Sequence, residues 1–180
     1  MKIEAEARGR SLLVLLVLIW GASWPIIKVG VSSMPPLWFA CLRYFVATFC
    51  AFLVVAVRGE LKPPSPADWR LVVVSGVLQM AAYSALTGVA LTRLPPGRAS
   101  VLAFSTPLWV APLSAWWLDE RLTWRSLAGI AAGLAGVILI MSPALRQGER
   151  RHLASYLLLL GAAAAWAISI VSVRAHQFRT

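Results

Sequence analysis

Six long apolar runs, separated by short stretches that hold nearly all the charge, constrain this chain more than any single motif does. They are Leu12–Val31, Leu37–Val57, Leu71–Leu91, Ala99–Leu118, Leu122–Met141 and Leu153–Val173. Each is close to the roughly 20 apolar residues that cross about 30 Å of hydrocarbon. An open strand in lipid leaves backbone groups without hydrogen-bond partners, so each run is expected to be a helix. The expected fold is therefore an all-α integral membrane protein, a polytopic bundle of six transmembrane helices. Composition agrees. The chain is 59% hydrophobic and 13% charged, against about 45–50% and about 25% in soluble domains.

A net charge of +10 in a polar sequence would suggest a nucleic-acid partner. Here the basic residues flank apolar runs, where Lys and Arg mark membrane boundaries and meet anionic lipid. The expected partner is the lipid bilayer, with no nucleic acid. Cys41 and Cys50 fall in one run, nine residues apart. That is roughly 13 Å along a helix, too far for a disulfide within it, and no zinc spacing is present. Lys2, Arg8 and Arg10 before the first run, with small residues at Gly21–Ser23, resemble a signal peptide. Because the run continues to Val31 and five more follow, a retained first span is the better reading.

Boundary residues support the same division. Pro35 and Pro36 suit a helix start. Ser65, Pro66 and Asp68 read as an N-cap and first turn, and Pro95, Pro96 and Gly97 as a tight turn. Thr123 is a plausible N-cap, and Ser142 with Pro143 is expected to stop the fifth helix. The longest connections, Arg58–Arg70 and Ala144–His152, are too short for a separate domain, so consecutive helices should run antiparallel. Lys2, Arg8, Arg10, Arg58, Lys62, Arg70, Arg121, Arg125, Arg174 and Arg179 fall on the side of the N-terminus. Lys28, Arg93, Arg98, Arg146, Arg150 and Arg151 fall opposite, which favours a cytoplasmic N-terminus.

The first and sixth runs resemble each other. With Trp20 set on Trp166, Ser23 meets Ser169 and Lys28 meets Arg174 without a gap. The match recurs after five spans, an odd number, so a five-helix repeat would insert with inverted topology, as in secondary transporters. Residues 1–143 are expected to form a first five-helix repeat, and 144–180 a linker and the first helix of a second. On this reading the sequence is a fragment or a truncated product.

Several stretches are similar to the EamA-type family of the drug/metabolite transporter superfamily. Ile19-Trp20-Gly21-Ala22-Ser23-Trp24 resembles its opening Trp-Gly motif, followed by Pro35-Pro36 and Arg43. Ser105-Thr106-Pro107, then Leu118-Asp119-Glu120-Arg121-Leu122-Thr123, then Gly129, Gly133 and Gly136 resemble its helix proline, Glu-Arg-Leu and glycine-rich helix. The resemblance implies a ten-helix fold of two inverted repeats in the bacterial inner membrane. It also implies an exporter or facilitator of small metabolites, amino acids or drug-like compounds, working by alternating access. Its partners would be a small-molecule substrate and a missing second repeat or a second copy of the chain.

The candidate substrate-binding residues are Arg43, Gln79, Tyr83, Trp20, Trp24 and Trp109. Arg43 lies seven residues past Pro36, roughly 10 Å into its helix, where a charge is costly and is a functional candidate. It could hold a carboxylate or phosphate, snorkel outward, or bond the carbonyls of a neighbouring helix. Lys28, near a helix end, reads as snorkelling. Gln79 and Tyr83 share a face, and either offer polar groups to a substrate or bond adjacent helices. Trp20 and Trp24 share a face inside the span and, with Trp109, either line an aromatic cavity or pack. Trp38, Trp69, Trp116, Trp117 and Trp124 read as interfacial anchors. Pro25, Pro107 and Pro112 are candidate helix kinks. Gly129, Gly133 and Gly136 are candidates for close helix packing. Asp119 and Glu120 are expected to pair with Arg121 or Arg125.

All seven Asp and Glu residues fall in loops or at helix ends, so no embedded carboxylate is available for a coupling proton. No catalytic residues, metal site or cofactor are expected. HExxH, GxSxG and a buried acid pair are all missing, which argues against an intramembrane enzyme. A non-transporting half-unit acting as an assembly partner remains the alternative.

Overall fold

The computed structural model describes residues 2–146 and 150–177; four of the expected runs fall wholly within helix, while Ala99–Leu118 overruns its helix at Leu118 and Leu122–Met141 begins two residues before its helix starts at Trp124. Arg179 and residues 147–149 lie outside the described residues, as do the side chains of Lys2, Arg8, Arg146, Arg150 and Arg151. The helices are α1 (Lys2–Ser33), α2 (Pro36–Val57), α3 (Trp69–Leu91), α4 (Pro96–Trp117), α5 (Trp124–Arg146) and α6 (Arg150–Gln177). All six are long and apolar enough to cross a membrane.

Their ends follow local chemistry. Pro35 caps α2 and Pro36 opens it. Gly59, at φ +67°, closes α2, with its N–H on the Ala56 carbonyl and that of Glu60 on Val55. This is a Schellman arrangement, and its left-handed residue is why glycine sits there. Thr123 caps α5 by accepting the Ser126 N–H at 3.2 Å.

Three boundary expectations are corrected. Ser65 is not the cap of α3: the helix starts at Trp69 behind Asp68, whose carboxylate accepts from the Ser65 hydroxyl at 2.6 Å. Pro96 and Gly97 are the first residues of α4 rather than a turn. Pro143 does not stop α5, which continues to Arg146. A helical proline leaves the carbonyl four residues back without its donor, and the Ser142 hydroxyl donates to that carbonyl, Leu139 O, at 2.8 Å.

Two helices are irregular. From Ser75 to Ala82, α3 is wound as a π-helix. By contrast, α4 is broken at Phe104–Ser105 into two halves, Pro96–Ala103 and Thr106–Trp117. Pro107 causes the break, because its ring meets the carbonyl of Ala103 and brings no N–H to it. The Thr106 hydroxyl donates to that carbonyl instead, at 3.0 Å. Pro25 and Pro112 lie inside helices that run on without interruption.

The core lies around α6. Along it Tyr156, Leu159, Ala163, Ala167 and Val171 are fully buried, three or four residues apart on one stripe. Of these, Tyr156 and Leu159 form one core cluster with Ala90, Leu91 and Leu94 at the end of α3, and with Ala99, Leu102 and Ala103 in the first half of α4. The small residues of α6 let it sit close among its neighbours. α2 carries no buried residue, and α1 and α5 bury little. Their apolar surface suits lipid as solvent.

Candidate functional site

The middle of α3 carries polar groups on two sides, and the irregular winding is what presents them. A π-helical turn is wider than an α-turn, and such turns recur at functional sites. Toward α6, the Ser169 hydroxyl lies 3.2 Å from both Ser75 Oγ and Gln79 Oε1. One turn on, Tyr83 meets Trp166 edge to face, with ring centroids 4.9 Å apart. Gln79 and Tyr83 therefore do share a face, and α6 covers it.

Toward α2, Ser84 receives two groups. Arg43 Nη2 lies 3.3 Å from Ser84 Oγ, and the Tyr44 hydroxyl bonds the same atom. The Arg43 guanidinium also rests 4.9 Å from the Tyr44 ring centroid, within cation–π range. The side chain is turned toward Ser84 and Tyr44. Ser84 is seven residues before the end of α3, just as Arg43 is seven after the start of α2. The guanidinium is thus held about 10 Å below the helix ends, facing outward from the bundle. No acidic side chain pairs with it among the described residues.

Beside this trio a cavity of about 660 Å³ opens between α2 and α3. Tyr44 and Ser84 supply its polar edge, while Leu37, Phe45, Met80 and Ala81 make apolar walls. A mostly apolar space with a few placed polar groups is the usual make-up of a small-molecule site.

The tryptophans separate. Trp24 is 8% exposed and packs edge to face on Phe104 at 5.7 Å, beside the break in α4. Trp20 is 51% exposed and Trp109 37%. Among the described residues, α1 joins the core cluster through Trp24, Ile27 and Val31, and Trp20 lies a turn earlier. Of the three glycines, Gly133 alone is closely met. A Cβ there would come 2.4 Å from Leu108 Cδ2, whereas Gly129 and Gly136 face open space. The tighter approach is at Gly30, where a Cβ would fall 2.2 Å from the Phe39 ring.

At the helix ends, cations reach across the bundle. Lys28 Nζ bonds the carbonyls of Leu91 (2.5 Å) and Thr92 (3.3 Å) at the end of α3, where the helix dipole favours a positive charge. Arg174 donates to Ser114 Oγ at 2.9 Å and pairs with Glu120. Glu120 thus pairs with α6, and not with Arg121 or Arg125 as expected. Asp119, at φ +54°, turns the chain that carries it. Sequence reasoning missed this pair and the winding of α3. The only signal for the pair was the alignment of Lys28 with Arg174.

The comparisons with known proteins point to one family. The EamA-like transporter family matches residues 7–142. An uncharacterized transporter of Bacillus subtilis, YvbV, is 30% identical over 174 residues, covering 97% of this chain and 56% of its own. A "probable amino-acid metabolite efflux pump" of Escherichia coli is 32% identical over 156 residues, 87% of this chain and 50% of its own. A "probable terminal-alkyne amino-acid exporter" of Streptantibioticus cattleyicolor is 30% identical over 151 residues, 84% and 50%. The chain spans about half the length of the curated relatives it matches. No solved structure matches it. With six membrane-crossing helices and a family match over most of its length, the chain is a multi-pass membrane protein that belongs to the EamA-like transporter family.

Proposed function

We propose that this chain works in a transporter that moves small amphipathic metabolites carrying an anionic group, amino acids foremost, across the bacterial inner membrane. Arg43 is the observation that carries the reading. It is a guanidinium held at depth by Ser84 and Tyr44, without an acid partner among the described residues, beside the cavity between α2 and α3. A charge facing hydrocarbon at that depth is expensive, so this face belongs to a wet pathway or is covered by more protein. An anionic substrate passing there would gain a charge-assisted hydrogen bond.

In this proposal a second five-helix repeat completes the pathway, on the same polypeptide or on another copy. The relatives' length, about twice that of this chain, supports this, as does the register of Trp20 with Trp166. The N-terminus is cytoplasmic, on the side richer in Lys and Arg. The activity is transport rather than catalysis, as the relatives' names indicate.

Efflux of radiolabelled leucine from preloaded proteoliposomes tests the reading. Efflux above that of protein-free liposomes, saturable with internal leucine, is expected. Rates equal to protein-free liposomes for leucine, phenylalanine and threonine alike would contradict it.

A further inference from the structure

A second cleft lies away from the Arg43 cavity, on the face that holds the start of α3 and the ends of α4 and α6. It has a volume of about 230 Å³, below the roughly 300–1,000 Å³ of drug-sized sites. Its rim and walls differ in character. Arg70 and His176 stand at the mouth, Leu71, Val74 and Leu78 of α3 form one wall, and Trp117 with Ile168 forms the others. From Arg70 to Leu78 the cleft descends about 12 Å along α3. Gln79, one residue beyond Leu78, and Ser169, beside Ile168, belong to the hydrogen-bonded cluster at mid-bundle.

The charges at the mouth are unequally matched. His176 Nε2 lies 3.4 Å from Asp68 Oδ1, and Arg174 is held by Ser114 and Glu120. Arg70 has no hydrogen bond or ion pair among the described residues. The cleft therefore presents one unmatched guanidinium above apolar walls. Ser172 lines the cleft too. Its hydroxyl proton is committed to the Ile168 carbonyl at 2.7 Å, which leaves its oxygen lone pairs as acceptors.

We propose that this cleft is a binding vestibule for an α-amino acid with an apolar side chain. The carboxylate forks onto Arg70, the ammonium donates to Ser172 Oγ, and the side chain lies against Leu71, Val74 and Trp117. A planar guanidinium suits a carboxylate in two-point contact. The choice of an amino acid rests on the transport reading above, while a small amphipathic carboxylate follows from the cleft alone.

The test is equilibrium binding of tritiated L-leucine to the full chain in phosphatidylcholine nanodiscs, with leucinamide as the competitor lacking a carboxylate. Saturable binding of leucine is expected, with leucinamide at least about tenfold weaker and Arg70→Gln weakening leucine by a similar factor. Ala175 also lines the cleft, and leucine should protect an Ala175→Cys thiol from a water-soluble maleimide, on a Cys41→Ala, Cys50→Ala background. Four results would each overturn the proposal: no leucine binding by the wild-type chain, equal competition by leucinamide, unchanged binding in Arg70→Gln, or displacement of leucine by phosphatidylglycerol in the disc. The last would assign Arg70 to a lipid headgroup. Transport with unchanged leucine binding in Arg70→Gln would sink the vestibule and leave the transporter. Arg70-dependent binding without any transport would support the vestibule and sink the transporter.

Discussion

At the scale of single residues, the glycines give the sharpest contrast. A methyl group at Gly30 meets the Phe39 ring and one at Gly133 meets Leu108, while Gly129 and Gly136 have open space. Gly30→Ala should therefore destabilise the protein by about 1–3 kcal/mol, as overpacking does. Gly129→Ala should be neutral or stabilising by about 0.5–1 kcal/mol, because alanine is the better helix former. Thermal unfolding of both variants in one detergent checks the order. The sequence alone does not separate these positions, since a glycine is informative only once its neighbour is known. Asp68 lies just outside α3, and its carboxylate is held below the usual range by the Ser65 hydroxyl, with a further contribution from His176. A lowered carboxylate contributes stability above its unfolded pKa of about 3.9 and loses it as pH falls through the folded value. The difference in melting temperature between wild type and Asp68→Asn should thus be present at neutral pH and vanish in acid.

At the scale of helices, apolar length made all six spans legible, because lipid imposes one structure on each run. What escaped depends on contacts between helices. Pro107 was recognisable as a disturbance, yet its outcome was not: a hydroxyl on the preceding residue satisfies the freed carbonyl at both Pro107 and Pro143, and only the helix at Pro107 breaks. Removing that hydroxyl with Thr106→Val should leave the Ala103 carbonyl unsatisfied and cost about 1–3 kcal/mol, read as a fall in melting temperature. The π-helical stretch of α3 left no compositional trace. It carries one residue more than an α-helix would between its flanks, so deleting Val77, which is exposed, should restore regular winding. The flanks would then keep their relative phase, whereas the same deletion from a regular α-helix would turn one of them by about 100°. Ser75→Cys should therefore crosslink to Ser169→Cys in the deletion variant as it does in the parent chain.

At the scale of the molecule, α6 is the central element. The similarity of its sequence to α1 was readable, but its place was not, since burial among α3 and α4 is a property of the assembled bundle. The same holds for the site: Arg43, Gln79 and Tyr83 were legible as polar residues at depth, whereas their partners Ser84, Ser169 and Trp166 follow only from how the helices meet. Orientation is open to a direct check. With a cytoplasmic N-terminus, green fluorescent protein fused after Glu60 should fluoresce, and alkaline phosphatase fused after Leu94 should be active; the reverse pattern would invert the bundle.

Transport by Arg43 variants tests the central claim most directly, because it joins the membrane architecture to the chemistry of the exposed cation. Leucine efflux should fall at least about tenfold in Arg43→Gln and recover in part in Arg43→Lys, with both variants as thermally stable as wild type. Unchanged efflux in a stably folded Arg43→Gln variant would contradict the account and reduce Arg43 to a structural tie between α2 and α3.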